Sequence, residues 1–377
     1  MTLQIRSLHL HDFRSYPDAS LEDIGRLVVF VGPNAAGKTN LVEAIQLITA
    51  LDSFRNPKTD QLIAWGAQQA AVRAVLEGDE RKLDVGLVLD ARGRHYRLNG
   101  KQRPRAELQG VLPAVAFTPD DLQLVKGSPE VRRAAMDALG AQVSRNYLSV
   151  RRDYEKIVRQ KNRLLKEEAT VSYLASVNEV LVKVGSQLFL YRLRILRGIR
   201  GLLDALHADT TGSGDAVSLE YFPSFAPDAP VGDDDLARYE HDRPLVENLM
   251  QEEISRRALE EQARHTSVIG PHRDKPAFFL NGRPAADFAS QGQQRSIAIA
   301  YKLSELQLVE DMTHEKPILL LDDVMSELDA SRRATLTKYV HEAAQTFVTT
   351  TNLEYFTPEL LDRAQVFHVP RDVFTSE

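Results

Sequence analysis

Gly32, Pro33, Asn34, Ala35, Ala36, Gly37, Lys38 and Thr39 follow the spacing GxxxxGK(S/T). Glycines let backbone N–H groups close around phosphate oxygens, and a helix opening near Lys38 turns its positive end toward them. Lys38 then neutralises β/γ-phosphate charge, Thr39 ligates Mg²⁺, and Asn40 completes the ATP-contacting stretch. A second constellation lies far downstream, where four apolar residues, 318–321, end in Asp322 and Asp323. A buried strand of a parallel sheet reads this way, and ligands gather at the carboxyl ends of such strands. Asp322 is placed to hold Mg²⁺, directly or through water, and Asp323 to orient or deprotonate an attacking water. These residues imply phosphoryl chemistry on ATP with Mg²⁺. Lys38 and Asp323 are the catalytic candidates, and Thr39 and Asp322 the metal candidates.

Weaker signals surround these two. Ser290, Gln291, Gly292 and Gln293 precede a helical run, where a serine alone is an N-cap. Residues 92–105 carry six Lys/Arg and no acid around an Asn-Gly turn. Arg94, Arg97 and Lys101 of that hairpin are candidate DNA-backbone contacts, and a solvated edge protected by charge is the competing reading. A helical stripe of Arg152, Lys156, Arg159, Arg163 and Lys166 is open to the same two readings. His241, His265 and His272 have no metal-ligand spacing.

The elements that must carry these residues follow from periodicity. Residues 27–31 read as a strand and 38–51 as an amphipathic helix, so the phosphate loop lies between them. Strands are expected at 70–77, 83–89 and 95–98, with hairpin turns at Asn99-Gly100 and Asn281-Gly282. Residues 129–206 are long, periodic and almost free of Pro and Gly, and read as helices. Within them Tyr147, Val150, Tyr154, Ile157 and Leu164 share the side opposite the basic stripe. Residues 207–242 hold nine acids against Arg238 and read as an irregular insert. Residues 252–264 read as a solvated helix, 296–312 as a helix, and 318–321 and 347–350 as strands. The expected fold is α/β, a mixed-sheet lobe I (1–120 plus 291–377) carrying an inserted, mainly helical lobe II (121–290).

The order of phosphate loop, helical insert, SxGQ, LLLDD and Ser326-Glu327-Leu328-Asp329 resembles an ABC-type ATPase head. SxGQ is similar to the signature motif, and Ser326 to Asp329 resembles the D-loop. Thr350 to Asn352 stand where such heads keep a histidine switch. HDFRSY at the start, 117–133 (FTPDDLQLVKGSPEVRR), 270–274 (GPHRD), 288–296 (FASQGQQRS) and 319–329 resemble the RecF family of recombination mediators, within the SMC/Rad50-like ABC group. The resemblance implies a head-to-head homodimer in which Ser290 to Gln293 of one subunit cap the γ-phosphate held by the other. It also implies Arg14 near bound phosphate, binding at single-strand/double-strand DNA junctions, and partnership with RecR and RecO. Weak, DNA-dependent ATPase activity in recombination, replication-gap repair and the SOS response completes what the family leads one to expect.

Composition bounds these readings. Lys and Arg number 47 against 53 Asp and Glu, a net charge of −6, so a globally basic coat is excluded while a local basic face is not. The absence of cysteine excludes disulfides, thiolate metal sites and cysteine nucleophiles. No signal-like segment or membrane-length apolar run is present, so a soluble, cytoplasmic protein is expected. The alternatives are another SMC/Rad50-like ATPase of DNA maintenance or a P-loop small-molecule kinase.

Overall fold

The computed structural model describes residues 3–78 and 81–369 and divides into two compact units. The first takes the chain up to Asp121, residues 209–211, and the chain from Glu305 onward. The second takes Leu122–Ala208 and Gly212–Ser304. The return to the first unit falls inside a helix rather than at residue 291, because that helix runs unbroken from Gln291 to Thr313.

The first unit opens with β1 (Gln4–Phe13), β2 (Tyr16–Leu21), β3 (Leu27–Val31) and helix α1 (Lys38–Thr49). It continues through β4 (Ala70–Gly78), β5 (Arg81–Asp90), β6 (Gly93–Leu98), β7 (Lys101–Arg103) and β8 (Ala114–Phe117). Strands β1 and β2 escape the periodicity reading, although Ile5, Leu8, Leu10 and Phe13 are all buried. A register shift between Ile5 and Ser7 breaks the simple alternation. The hairpin between β6 and β7 forms as expected: Leu98 pairs with Lys101, and Asn99 and Gly100 both take positive φ (50° and 75°). Two left-handed residues suit the twist of the flanking strands.

The second unit begins with helices α2 (Pro129–Val143), α3 (Arg145–Lys166) and the main part of α4 (Val171–Thr211). After them come β9 (Val217–Phe222), α5 (Asp233–His241), α6 (Arg243–Arg256), α7 (Ala258–Arg264), β10 (Lys275–Leu280) and β11 (Arg283–Pro284). The acid-rich stretch is therefore irregular only in part, at 212–216 and 223–232. Val217, Leu219 and Tyr221 face inward from β9, and Asp233 to Asp235 form the first turn of α5, where carboxylates complement the helix dipole. The solvated helix expected at 252–264 is likewise two, broken at Arg257.

A buried polar cluster holds this unit. Arg192 is buried and bonds both oxygens of Asp137 at 2.9 Å, while its Nη1 donates to the Pro271 carbonyl. Asp274 accepts from Tyr221 Oη (2.6 Å) and the Ser224 amide (2.7 Å). Arg132 donates to the carbonyls of Leu124, Val125, Gly127 and Pro276. Buried charges satisfied in this way lock residues 122–133 and 270–276 to the helices.

From α8 (Gln291–Thr313) the chain returns to the first unit with β12 (Ile318–Asp322), α9 (Ala330–Glu342), β13 (Gln345–Thr350) and β14 (Gln365–His368). Two sheets result, an antiparallel one of order β2-β1-β4-β5-β6-β7 and a parallel one of order β14-β3-β13-β12-β8. Helix α1 packs against strands of both, burying Leu41, Val42, Ile45 and Ile48 in one core with Val28, Leu320 and Phe347. Burying each such side chain contributes about 1.5–3 kcal/mol, so the helix that starts at the phosphate loop has a fixed axis.

Candidate nucleotide site

Strand β3 delivers the loop and α1 receives it. Ala35 and Gly37 take positive φ (65° and 99°), and a Cβ on Gly37 would meet Tyr16 Oη at 2.7 Å. Gly32 is required for a different reason. A Cβ there would lie 2.3 Å from the Val369 carbonyl, just past the end of β14. Lys38 is 7% exposed and its Nζ donates to the Gly32 and Pro33 carbonyls, each at 2.8 Å. Burial lowers the pKa of its ammonium, and the charges of Asp323 and Asp322 work against that shift.

The parallel register brings the acids to the loop. Thr39 Oγ1 donates to Asp322 Oδ1 (2.9 Å), and Thr349 Oγ1 donates to the same oxygen (2.8 Å). Burial raises the Asp322 pKa, and these two hydrogen bonds oppose it. Asp323 takes a left-handed backbone (φ 54°), donates its N–H to Thr349 Oγ1 at 2.9 Å, and keeps a buried Oδ1 with no hydrogen-bond partner. Ser326 Oγ donates back to the Asp323 carbonyl, and Asp329 caps α9 through the Arg332 amide. Among the described residues no cluster of three His, Cys, Asp or Glu could hold a metal unaided. A hydroxyl and a carboxylate side by side fit Mg²⁺, which takes few protein oxygens and completes its shell with water and phosphate.

Glu43, on the turn of α1 after Thr39, is fully buried, and nothing in its sequence context marks it. Both of its oxygens accept from Arg14 (2.9 and 2.8 Å), Ser53 Oγ donates at 2.6 Å, and Arg55 lies 3.5 Å away. Arg14 also donates to the Gln61 carbonyl. Arg55 donates to Asn40 Oδ1, and Asn40 donates to Ser15 Oγ. No spacing rule relates residues 14, 43 and 55; only the fold brings them together beside the loop.

At the end of β13, Thr350 Oγ1 donates to the Asn352 carbonyl, and Asn352 caps the next turn through the Glu354 amide. Thr351 is exposed. In the second unit, Ser290 and Gln293 form a reciprocal cap at the start of α8. The Ser290 amide donates to Gln293 Oε1 (2.9 Å), and the Gln293 amide to Ser290 Oγ (3.3 Å). Ser290 and Gln291 are exposed and Gly292 is half-buried, so a helix N-terminus with its positive end faces solvent.

The basic hairpin does not present one face. Arg94 shares the inward side of β6 with Tyr96 and donates to the Pro57 carbonyl (2.9 Å), whereas Arg97 stands on the opposite side, and Arg97 and Lys101 are exposed. On α3 all five stripe residues are exposed, while Tyr147, Tyr154 and Leu164 are buried opposite them. Lys161, also on α3, is buried and paired with Glu261 at 2.6 Å.

A phosphate loop between a parallel strand and a core helix, with Asp322 on a strand of the same sheet, is a P-loop nucleotide site, and the whole chain has the fold of an ABC-type ATPase head. Residues 4–370 match the RecF/RecN/SMC N terminal domain. The chain belongs to the RecF family of DNA replication and repair proteins. It is 33% identical to the DNA replication and repair protein RecF of Lactobacillus johnsonii, covering 97% of each chain. It is 35% identical to that of Microcystis aeruginosa, covering 98% of this chain and 99% of the relative. A solved structure of the recombination mediator protein RecF with ATP in the RecFOR pathway superposes with a TM-score of 0.83 at 26% identity, covering 94% of each chain. An Smc head domain from Pyrococcus furiosus shares the fold with a TM-score of 0.53 at 16% identity, covering 98% of this chain and 94% of that one. Among the described residues no helix is long and apolar enough to cross a membrane.

Proposed function

We propose that this chain is an ATP-dependent DNA clamp of recombinational and replication-gap repair. Gly32 to Asn40 bind ATP, Thr39 and Asp322 hold Mg²⁺, and the Ser290 to Gln293 turn of a second copy, with Ser290 and Gln291 exposed, caps the γ-phosphate. The observation that carries the reading is the Thr39–Asp322 hydrogen bond beside a buried Lys38. With its proton on Asp322, the Thr39 oxygen keeps its lone pairs for a cation. Bound Mg²⁺ supplies charge neutralisation on the phosphate oxygens. Lys38 holds the phosphates once its ammonium leaves the loop carbonyls, and Asp323 accepts a proton from the attacking water at its unpartnered Oδ1. Because ATP joins two copies, it favours the closed dimer, and slow, DNA-dependent hydrolysis reopens it.

The exposed Arg97 and Lys101 of the hairpin and the basic stripe of 152–166 supply the DNA contacts, and the family relationship supports cytoplasmic work at single-strand/double-strand junctions with RecR and RecO in the SOS response. Binding to gapped DNA with and without ATP tests the proposal. ATP-independent affinity, with no ATP-induced dimer in sedimentation, refutes it.

A further inference from the structure

We propose that Thr349 is a positioning residue for hydrolysis, its hydroxyl fixing the carboxylate of Asp322 and the backbone of Asp323 as one unit. The inference rests on the assignment of Asp322 to the metal and Asp323 to the attacking water. Thr349 lies on β13, in register with Asp322 on β12, and is fully buried. A hydroxyl offers one proton and two lone pairs. Here the proton goes to Asp322 Oδ1 at 2.8 Å and a lone pair takes the Asp323 N–H at 2.9 Å. The Asp323 N–H also reaches the Thr349 carbonyl at 3.3 Å.

Thr346 and Thr350, buried on the same strand, direct their hydroxyls to the backbone carbonyls of Val340 and Asn352 instead. Thr349 alone of these three bonds across the sheet to both acids. The geometry at Asp323 gives that bond a task. A left-handed backbone at an aspartate is uncommon and persists where its surroundings hold it. The Thr349 hydroxyl grips the amide of that residue, so the direction of the Asp323 side chain depends on it. The same proton meets Asp322 Oδ1 together with that of Thr39, so the two hydroxyls between them fix the orientation of the carboxylate.

Thr349→Val keeps the shape and removes the hydroxyl, and Thr349→Ser keeps the hydroxyl. Single-turnover hydrolysis should fall about 10²-fold in Thr349→Val, the scale set by roughly 1 Å of misplacement. The gain in ATP affinity on adding Mg²⁺, read by equilibrium titration, should shrink about tenfold, while affinity without Mg²⁺ stays unchanged. Thr349→Ser should recover both to within about threefold. Should Thr349→Val fail to fold, Thr349→Cys takes its place as a weak donor and must fall below Thr349→Ser in both readouts. Equal behaviour of the hydroxyl-bearing and hydroxyl-lacking variants overturns the inference. Asp323→Asn separates the two levels. If it is inactive while Thr349→Val hydrolyses at the wild-type rate, only the role of Thr349 falls. If Asp323→Asn hydrolyses normally, the assignment beneath it falls too, and this inference with it.

Discussion

Replacing Glu43 by Gln keeps the volume of a fully buried side chain and removes its charge. Arg14 then loses a two-point carboxylate partner, Ser53 its 2.6 Å acceptor, and Arg55 a neighbour at 3.5 Å. Breaking a buried pair by removing one partner typically costs about 3–5 kcal/mol. Arg14 is 19% and Arg55 38% exposed at the side chain, so water recovers part of that, and a loss of about 2–3 kcal/mol is expected. At about 2–4 °C per kcal/mol for a unit of this size, Tm should fall by roughly 4–12 °C. ATP affinity should weaken as well, because the same network holds Arg55 on Asn40, next to Thr39 of the phosphate loop. Thermal unfolding with and without ATP reads both effects. A double-mutant cycle of Glu43→Gln with Arg14→Gln should show a coupling of about 1–3 kcal/mol. Additive losses, or a total below about 0.5 kcal/mol, would refute the view that this carboxylate anchors the loop region.

Further outcomes can be checked independently. Ser290→Arg should leave ATP binding intact and abolish the ATP-induced dimer in sedimentation velocity; a normal dimer sinks the role of the turn in a second copy's site. Arg97→Glu with Lys101→Glu, or Arg152→Glu with Arg159→Glu, should flatten the slope of log K against log salt by roughly 0.9 for each DNA phosphate that is no longer neutralised. Arg94→Glu should lower Tm instead, since its guanidinium braces the Pro57 carbonyl. Asp323→Asn should bind ATP and dimerise while hydrolysis, expected below about 1 s⁻¹ in the parent against about 1–10³ s⁻¹ for typical enzymes, nearly vanishes. Burial, with the charges of Arg273, Lys161 and Arg133 adding to it, pushes the His272 pKa down from 6.5 to about 3. The unfolded chain therefore binds the extra proton first as pH falls through 6.5, so stability is lost between about pH 6.5 and pH 3, by at most about 1.4 kcal/mol per pH unit. His272→Gln should flatten that acid limb in a pH series of urea midpoints.

The phosphate loop and the Asp322–Asp323 pair were legible because each is a short local pattern whose chemistry demands its own flanking element. The strand before Gly32 and the helix after Lys38 are both where the loop requires them. The stripe on α3 was legible for the same reason, since a 22-residue helix exposes its period directly. Glu43, Arg55 and Thr349 were not. Each is an ordinary residue of a buried helix, a loop or a buried strand, and its meaning comes from partners brought near by sheet register. Asp233 to Asp235 misled for a physical reason: carboxylates that look like an irregular acidic insert are also what the first turn of a helix favours. Arg94 misled through β-alternation, which sends neighbouring basic residues of one hairpin to opposite faces.

The bond between Thr39 and Asp322 joins residues 283 positions apart. At a synthesis rate of about 5–20 residues per second, a nascent chain carries its phosphate loop for roughly 15–60 s before the matching carboxylate is made. During that interval Lys38 and Thr39 have neither Asp322 nor Asp323 beside them, and β3 lacks its parallel neighbours β13 and β14. Burial of the loop's lysine and closure of the sheet over Gly32 must wait for the last strands. The half-made protein is thus unable to grip a nucleotide in the mature way, and loop closure over so long a separation makes this a late event in folding. The mature geometry around Lys38 and Thr39 therefore exists only once β12, β13 and β14 have all been made.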